Sequence, residues 1–281
     1  MFNPFEITEP TCISFSGGRT SAFMLYKVLE SHEMSLPEDA VVCFANTGKE
    51  DEATLKFVHD CSTHWNVPIV WLEYCDAEES KNRWKQVTFE TASRDGEPFE
   101  AVIRKKNYLP NPVTRFCTIE MKIRTIANYL FSIGMCDTRS EGECMSWVGI
   151  RADEKRRAAK IDRSRTPLVV AGIGKEEVGE FWRNQQFDLG LPNFNGVTYH
   201  GNCDLCFLKG ESQTRSLIAE KPERAIWWAK MEALALALAS KPDGARFRKD
   251  RDSYQSMLDF AKNQIPMFDN ADESIPCFCG D

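Results

Sequence analysis

A glycine loop and a dispersed set of cysteines are the residues of this chain whose types and spacing could do chemistry. The loop is Ser16-Gly17-Gly18-Arg19-Thr20-Ser21. Gly17 and Gly18 permit backbone angles that other residues avoid, and they let the chain approach a ligand closely. A helix starting straight after the loop would aim its free amides and the positive end of its dipole at the same point. Ser16, Thr20 and Ser21 add hydroxyl donors, and Arg19 adds a charge. Together these make a cradle for a phosphate. The spacing matches neither Gly-X4-Gly-Lys-Ser/Thr nor Gly-X-Gly-X-X-Gly, so the two commonest phosphate loops are excluded.

The chain has 11 cysteines. Cys12, Cys43 and Cys75 sit in or beside apolar runs and read as small core residues. Cys117, Cys203, Cys206, Cys277 and Cys279 lie instead near Gly, Asp or Arg. Cys203-Asp204-Leu205-Cys206 is a Cys-X-X-Cys, a spacing that serves redox, zinc or iron–sulfur chemistry. Cys117 is the natural third thiol, beside Arg115, a cation that favours thiolate. Of the four histidines only His200 is close to these residues in sequence; it reads as a ligand, an acid or an ordinary exposed side chain.

The elements that must position these residues alternate. Thr11 to Phe15 reads as a buried strand running into the loop, and Ser21 to Glu30 as an amphipathic helix. Val41 to Ala45 and Ile69 to Leu72 read as further strands around a helix over Asp51 to Trp65. This alternation predicts a mainly parallel sheet flanked by helices. Ala77 to Pro112 reads as an excursion over the loop, partly helical. Thr118 to Phe131 is expected to be a helix with Ile119, Ile123, Ile126 and Leu130 along one side. Cys144 to Ile150 reads as a strand leading into a basic segment, Arg151 to Arg165, and Glu176 to Asn184 as a helix. From Ser212 onward the pattern is helical. The expected organisation is a nucleotide-binding domain over 1–210 and a helical extension with a cysteine-containing tail over 211–281.

Bulk composition narrows the class. A net charge of −7 argues against a generally basic, nucleic-acid-coating surface but leaves room for a local basic groove. No window approaches the roughly 20 apolar residues of a membrane helix, and the first residues lack a secretory pattern. The expectation is a cytoplasmic protein, in which the cysteines do not form a disulfide framework.

The loop resembles the PP-loop of the ATP pyrophosphatase superfamily, and in particular its phosphoadenosine phosphosulfate (PAPS) reductase-like branch. Thr20 stands where that family's Ser-Gly-Gly-X-Asp-Ser has Asp. Asn46-Thr47-Gly48, followed by Glu52-Ala53-Thr54, resembles the family's Asp-Thr-Gly and Glu-Thr pair. Arg115-Phe116-Cys117-Thr118, with Lys122, resembles its Arg-X-Cys-Cys and following Lys. Val148 to Glu154, with Arg157, resembles its Gly-Ile-Arg-X-X-Glu-X-X-Arg segment. The resemblance runs over about residues 11 to 210 in the family's order.

What the resemblance implies is a Rossmann-like (adenine nucleotide alpha hydrolase-like) α/β fold that binds ATP or an adenylyl nucleotide with Mg²⁺. Adenine would lie near Phe15 and Phe44 to Asn46, and the chemistry would fall on the α-phosphate. The implied nucleotide contacts are Ser16 to Ser21, Asn46, Thr47, Gly48, Gly149, Arg151 and Arg157, with Arg19, Arg151 and Cys279 in catalytic roles. Related reductases hold a 4Fe–4S cluster on a Cys-Cys pair and a later Cys-X-X-Cys. Here Thr118 replaces the second Cys, leaving Cys117, Cys203 and Cys206. Either a tail residue, Cys277 or Cys279, completes the set, or three thiolates leave one iron open. Structural zinc is the alternative metal. Cys279 is equally a nucleophile, a ligand or a dispensable end residue. The leading reading is an enzyme of sulfur transfer to a nucleic-acid or small-molecule acceptor. The alternatives are a true sulfonucleotide reductase and a non-catalytic nucleotide-sensing protein of a phage, defence or CRISPR-associated system.

Overall fold

The apolar run Thr11–Phe15 forms strand β1, and the chain turns at once into helix α1, Arg19–Ser31. β2 (Ala40–Asn46), α2 (Glu52–His64) and β3 (Ile69–Glu73) follow in the same alternation. A computed structural model describes residues 2–137, 145–238 and 245–263. Within the charged excursion lie a short strand β4, Lys85–Val87, and helix α3, Glu97–Lys106. A single turn α4, Phe116–Thr118, runs through a π-helical stretch, Ile119–Arg124, into α5, Thr125–Ser132. β5 is Met145–Val148.

These five strands form one sheet in the order β4-β3-β2-β1-β5. β1 pairs in parallel with both β2 and β5, β2 with β3, and only β4 is antiparallel. The strand order carries a functional consequence. The chain proceeds from β1 outward to β3, then returns to place β5 on the other side of β1. Loops leaving the carboxyl ends of β1 and β5 therefore diverge at a switch point, where open α/β sheets bind ligands. The glycine loop leaves β1 at that point.

The predicted apolar stripe of the helix after Cys117 needs correction. Ile126 and Leu130 are buried, but Ile119 and Ile123 are 38% and 39% exposed. The π-helical turn closes its bonds five residues apart instead of four, which rotates the inward face. Phe116, Glu120 and Met121 are buried in their place.

The remainder is built from α6 (Lys155–Ala158), α7 (Pro167–Val170), α8 (Lys175–Arg183), a small hairpin of β6 (Asn193–Phe194) and β7 (Val197–Thr198), and α9 (Glu211–Glu220), α10 (Arg224–Leu238) and α11 (Tyr254–Asn263). From residue 211 onward the described residues contain helices and no strand. One core lies on a face of the sheet, where Ile13, Phe15 and Phe44 meet Met24 and Leu25 of α1, Phe57 of α2 and Trp182 of α8. A second core joins Phe99 and Ile103 of α3, Met121, Leu205 and Phe207 to Trp228, Tyr254 and Leu258 of the last helices. The packing thus runs on across residue 210 rather than stopping there. Arg224 of α10 reaches Asp51, the N-cap of α2, at 3.0 Å and ties the helical region to the sheet. No helix among the described residues is long and apolar enough to cross a membrane.

Candidate functional site

Two glycines shape the loop. Gly17 has φ +74°, and a Cβ there would lie 2.6 Å from the Thr54 side chain and 3.3 Å from Phe44. Only glycine fits that angle against that wall. A Cβ on Gly149, just past β5, would meet the Ser21 Cα at 2.8 Å, so the end of β5 presses directly on the first turn of α1. Gly18 is different: it is extended at φ −108°, and a Cβ would meet only the Ser16 hydroxyl at 3.8 Å. The Ser21 hydroxyl donates to the Gly18 carbonyl at 2.9 Å and accepts from the Ser16 amide at 3.2 Å, holding the loop closed on itself.

All six loop residues line a cavity of about 940 Å³, together with Gly149, Arg151 and Arg157. Arg151 leans over the loop. Its guanidinium is paired with Asp153 at 2.9 Å and donates to the Thr20 hydroxyl at 3.3 Å and the Gly196 carbonyl at 3.4 Å. Thr20 therefore supplies an acceptor to an arginine already paired with Asp153. Arg157 is mostly exposed and pairs with Glu154. Arg19 also lines the cavity, but its Nε bonds Asp188 at 2.6 Å and a terminal nitrogen reaches the Leu191 carbonyl at 3.0 Å. Its own carbonyl accepts from Trp182 at 2.9 Å. In this arrangement Arg19 joins the loop to the segment after α8.

The Arg19–Asp188 pair leads to a pH prediction. Burial alone would raise the Asp188 carboxyl, but the Arg19 hydrogen bond and the Leu189 and Gly190 amides hold it below its ordinary value. A depressed folded pKa stabilises above the unfolded value, near about pH 4, and that stabilisation is lost as pH falls through the folded value. Asp188→Asn should therefore flatten the acid limb of unfolding below about pH 4. Denaturant midpoints between neutral and acid pH measure this; a variant that tracks the parent throughout would show that the pair adds nothing.

Asn46, Thr47 and Gly48 stand apart from the cavity lining. Asn46 is fully buried, donating to Glu73 at 2.7 Å and the Ser93 carbonyl at 2.9 Å while accepting from the Gly48 amide at 3.1 Å. The Thr47 hydroxyl donates to Glu50 at 2.9 Å, and Glu50 also receives the Thr47 amide. Phe15 and Phe44, expected near an adenine, are buried core residues.

The cysteine loop is strapped to this same turn. The Asp204 amide donates to the Lys49 carbonyl at 2.7 Å, and Glu50 and Cys203 form an isolated β-bridge. The Lys49 ammonium pairs with Asp204 at 3.2 Å, the two side chains only 10% and 11% exposed. Trp228 of α10 donates to the same carboxylate at 2.8 Å. Cys203 lies 3.5 Å from the Thr47 hydroxyl. Burial first, then Glu50 and Cys206, push the Cys203 thiol well above its ordinary pKa. Cys117 is raised by burial and by Cys206, against the pull of Thr118 and Lys122. Lys122 stands among all three thiols: burial opposes its charge, but Glu50 at 3.8 Å and the thiols raise its pKa overall. The structure thus gathers Cys117, Cys203 and Cys206 around one lysine, and Lys122 and Glu50 both face the cavity. Among the described residues no three His, Cys, Asp or Glu side chains are placed to hold a metal ion. Cys277 and Cys279 lie outside the described residues.

His200 is buried and bonds Glu220 at 2.8 Å, an ordinary side-chain pairing. Sequence reasoning missed Glu50, Asp188 and Lys175 on the cavity wall, and also the β6–β7 hairpin. The Asn195-Gly196 pair between Phe194 and Val197 is the hairpin's sequence signal. Asp188 has no such signal, since it meets Arg19 only through the fold.

No protein-family profile matches the chain, and no solved structure matches it. The chain is 29% identical over 203 residues to an uncharacterized nin region protein of Escherichia phage lambda, covering 70% of this chain and 65% of that protein. It is 28% identical over 160 residues to an uncharacterized protein of Methanocaldococcus jannaschii, covering 56% of this chain and 26% of that one. The chain thus spans less than two thirds of either relative's length.

Proposed function

We propose that the chain is a PP-loop enzyme of the PAPS reductase-like branch, with a Rossmann-like sheet, that binds ATP or an adenylyl nucleotide and cleaves it at the α-phosphate. The observation that carries this reading is the glycine loop at the switch point, with Gly149 pressed on Ser21 and a cavity large enough for a nucleotide. The α1 amides and the hydroxyls of Ser16, Thr20 and Ser21 would hold phosphate oxygens, and Arg151 would stabilise charge as pyrophosphate departs with Mg²⁺. An acceptor oxygen would bond to the α-phosphorus as the bond to the β-phosphate oxygen breaks. With water as acceptor the products are AMP and pyrophosphate.

Cys117, Cys203 and Cys206 would be the thiols that hold an iron–sulfur cluster, with zinc as the alternative metal. All three influence Lys122, and an all-thiol donor set suits iron–sulfur as well as zinc, so the cluster is preferred here only on the resemblance. When bound, such a cluster would supply sulfide-level sulfur, which would replace the activated acceptor oxygen as that oxygen leaves with AMP. The protein's own part is to keep the half-buried thiols beside the nucleotide cavity, with Lys122 balancing their charge.

A second reading is a nucleotide-binding accessory protein of a phage or defence system, for which the likeness to a phage lambda protein fits the phage setting alone. Incubation with α-labelled ATP and Mg²⁺ separates the two. Labelled AMP, or a labelled adenylated acceptor, is expected. Tight binding without turnover would favour the accessory reading, and sulfite from PAPS plus thioredoxin would favour a sulfonucleotide reductase.

A further inference from the structure

We infer that the rim of the nucleotide cavity is a docking surface for single-stranded nucleic acid, with phosphates on the Arg151–Arg165 segment and a base stacked on Phe194. The inference rests on the proposed function only in taking this strand as the acceptor. In a chain of net charge −7, residues 151–165 hold seven basic and three acidic side chains. Lys155, Arg156, Lys160 and Arg163 are exposed, and none has a side-chain hydrogen bond or ion pair among the described residues. Such a local excess of unpaired cations is the electrostatic footprint of a polyanion site.

The second observation is independent of charge. The β6–β7 hairpin exposes Phe194 at 65% and Val197 at 62%. Tyr199 packs edge-on against Phe194 at 6.0 Å, which backs the ring from below. The hairpin tip is anchored, with Gly196 accepting from Arg151 at 3.4 Å and Asn195 accepting from Lys175 at 2.5 Å. An exposed aromatic on a fixed support is a stacking platform, and any base supplies a face to it. Both features border one cavity, which Arg157 lines from the basic segment and Val197 from the hairpin. Glu176 and Glu180 of α8 line the same cavity, and their charge would keep phosphates on the basic side. A duplex hides its base faces, so the platform fits a single strand.

Fluorescence anisotropy with labelled 12-mers of oligo-dT and oligo-U, against increasing salt, tests this. Four phosphate contacts predict that log K falls against log salt with a slope of about −3. Arg156→Glu with Lys160→Glu should flatten the slope by about 1.4. Phe194→Ala should weaken binding about tenfold, the effect of one lost stack, and Phe194→Trp should restore it. A preference for dT or U identifies the acceptor as DNA or RNA. Salt-independent binding, no binding, or indifference to these variants overturns the inference. So does a Phe194-dependent attachment to phosphatidylserine vesicles without oligonucleotide binding. ATP affinity measured in the same proteins keeps the two readings apart: intact ATP binding without oligonucleotide binding sinks this inference alone, and the reverse sinks the nucleotide site alone.

Discussion

Gly18→Val is expected to remove ATP binding from a protein that still folds, whereas Gly17→Val is expected to damage the fold itself. The two positions are neighbours, but their surroundings are opposite. Gly18 is extended and its Cβ would point into open space on the cavity wall. As the N-cap of α1 it loses about 1 kcal/mol when β-branched, about 3 °C in melting midpoint for a chain of this size. The valine would occupy the volume of a phosphate, and ATP affinity should fall at least about tenfold. At Gly17 the backbone is left-handed and a Cβ would lie 2.6 Å from Thr54. Left-handed strain of about 1–2 kcal/mol and overpacking of about 1–3 kcal/mol add to a drop of about 10 °C. Calorimetric titration and thermal melts of both variants decide the matter. ATP affinity retained in Gly18→Val would sink the phosphate cradle, and equal melting of the two variants would sink the steric account.

Asp204→Ala should be as damaging as any single change in the cysteine loop. It strands the Lys49 ammonium, 10% exposed and 3.2 Å from the lost carboxylate, and leaves the Trp228 indole and Leu205 amide without their acceptor. Breaking a buried pair by removing one partner costs about 3–5 kcal/mol, because the remaining charge is uncompensated. Urea unfolding measures the loss. A companion Lys49→Met change in the same protein should return part of it, since the stranded charge goes too. A double variant no more stable than Asp204→Ala would show that the damage lies in the lost carboxylate contacts instead. The released strap should also speed alkylation of Cys203 and Cys206.

The strands and the glycine loop were legible because their signals are local. Apolar runs mark β1, β2 and β3, and Asp51 is an N-cap at the predicted start of α2. The grouping of Cys117 with Cys203 and Cys206 rested only on thiol chemistry and on a resemblance, since neither segment says where the other lies. Asp188 was invisible: a carboxylate 169 residues from Arg19 has no periodicity to betray it. The roles of Lys49 and Glu50 were not legible at all. The resemblance implied nucleotide contacts for Asn46, Thr47 and Gly48; in the fold Asn46 bonds inward to Glu73 and Ser93 while Lys49 and Glu50 carry the cysteine loop.

The helix after Cys117 was expected to be regular, and its irregularity sets the separation of two site residues. Five steps along an ordinary α-helix turn the chain about 140° away from the starting face. The wide turn of Ile119–Arg124, whose bonds close five residues apart, starts two residues after Cys117 and carries Lys122, whose charge the Cys117 thiol favours. The number of residues between thiol and ammonium therefore works as a ruler. Between them only the exposed Thr118 and Ile119 can vary so long as the count is kept, since Glu120 and Met121 are buried.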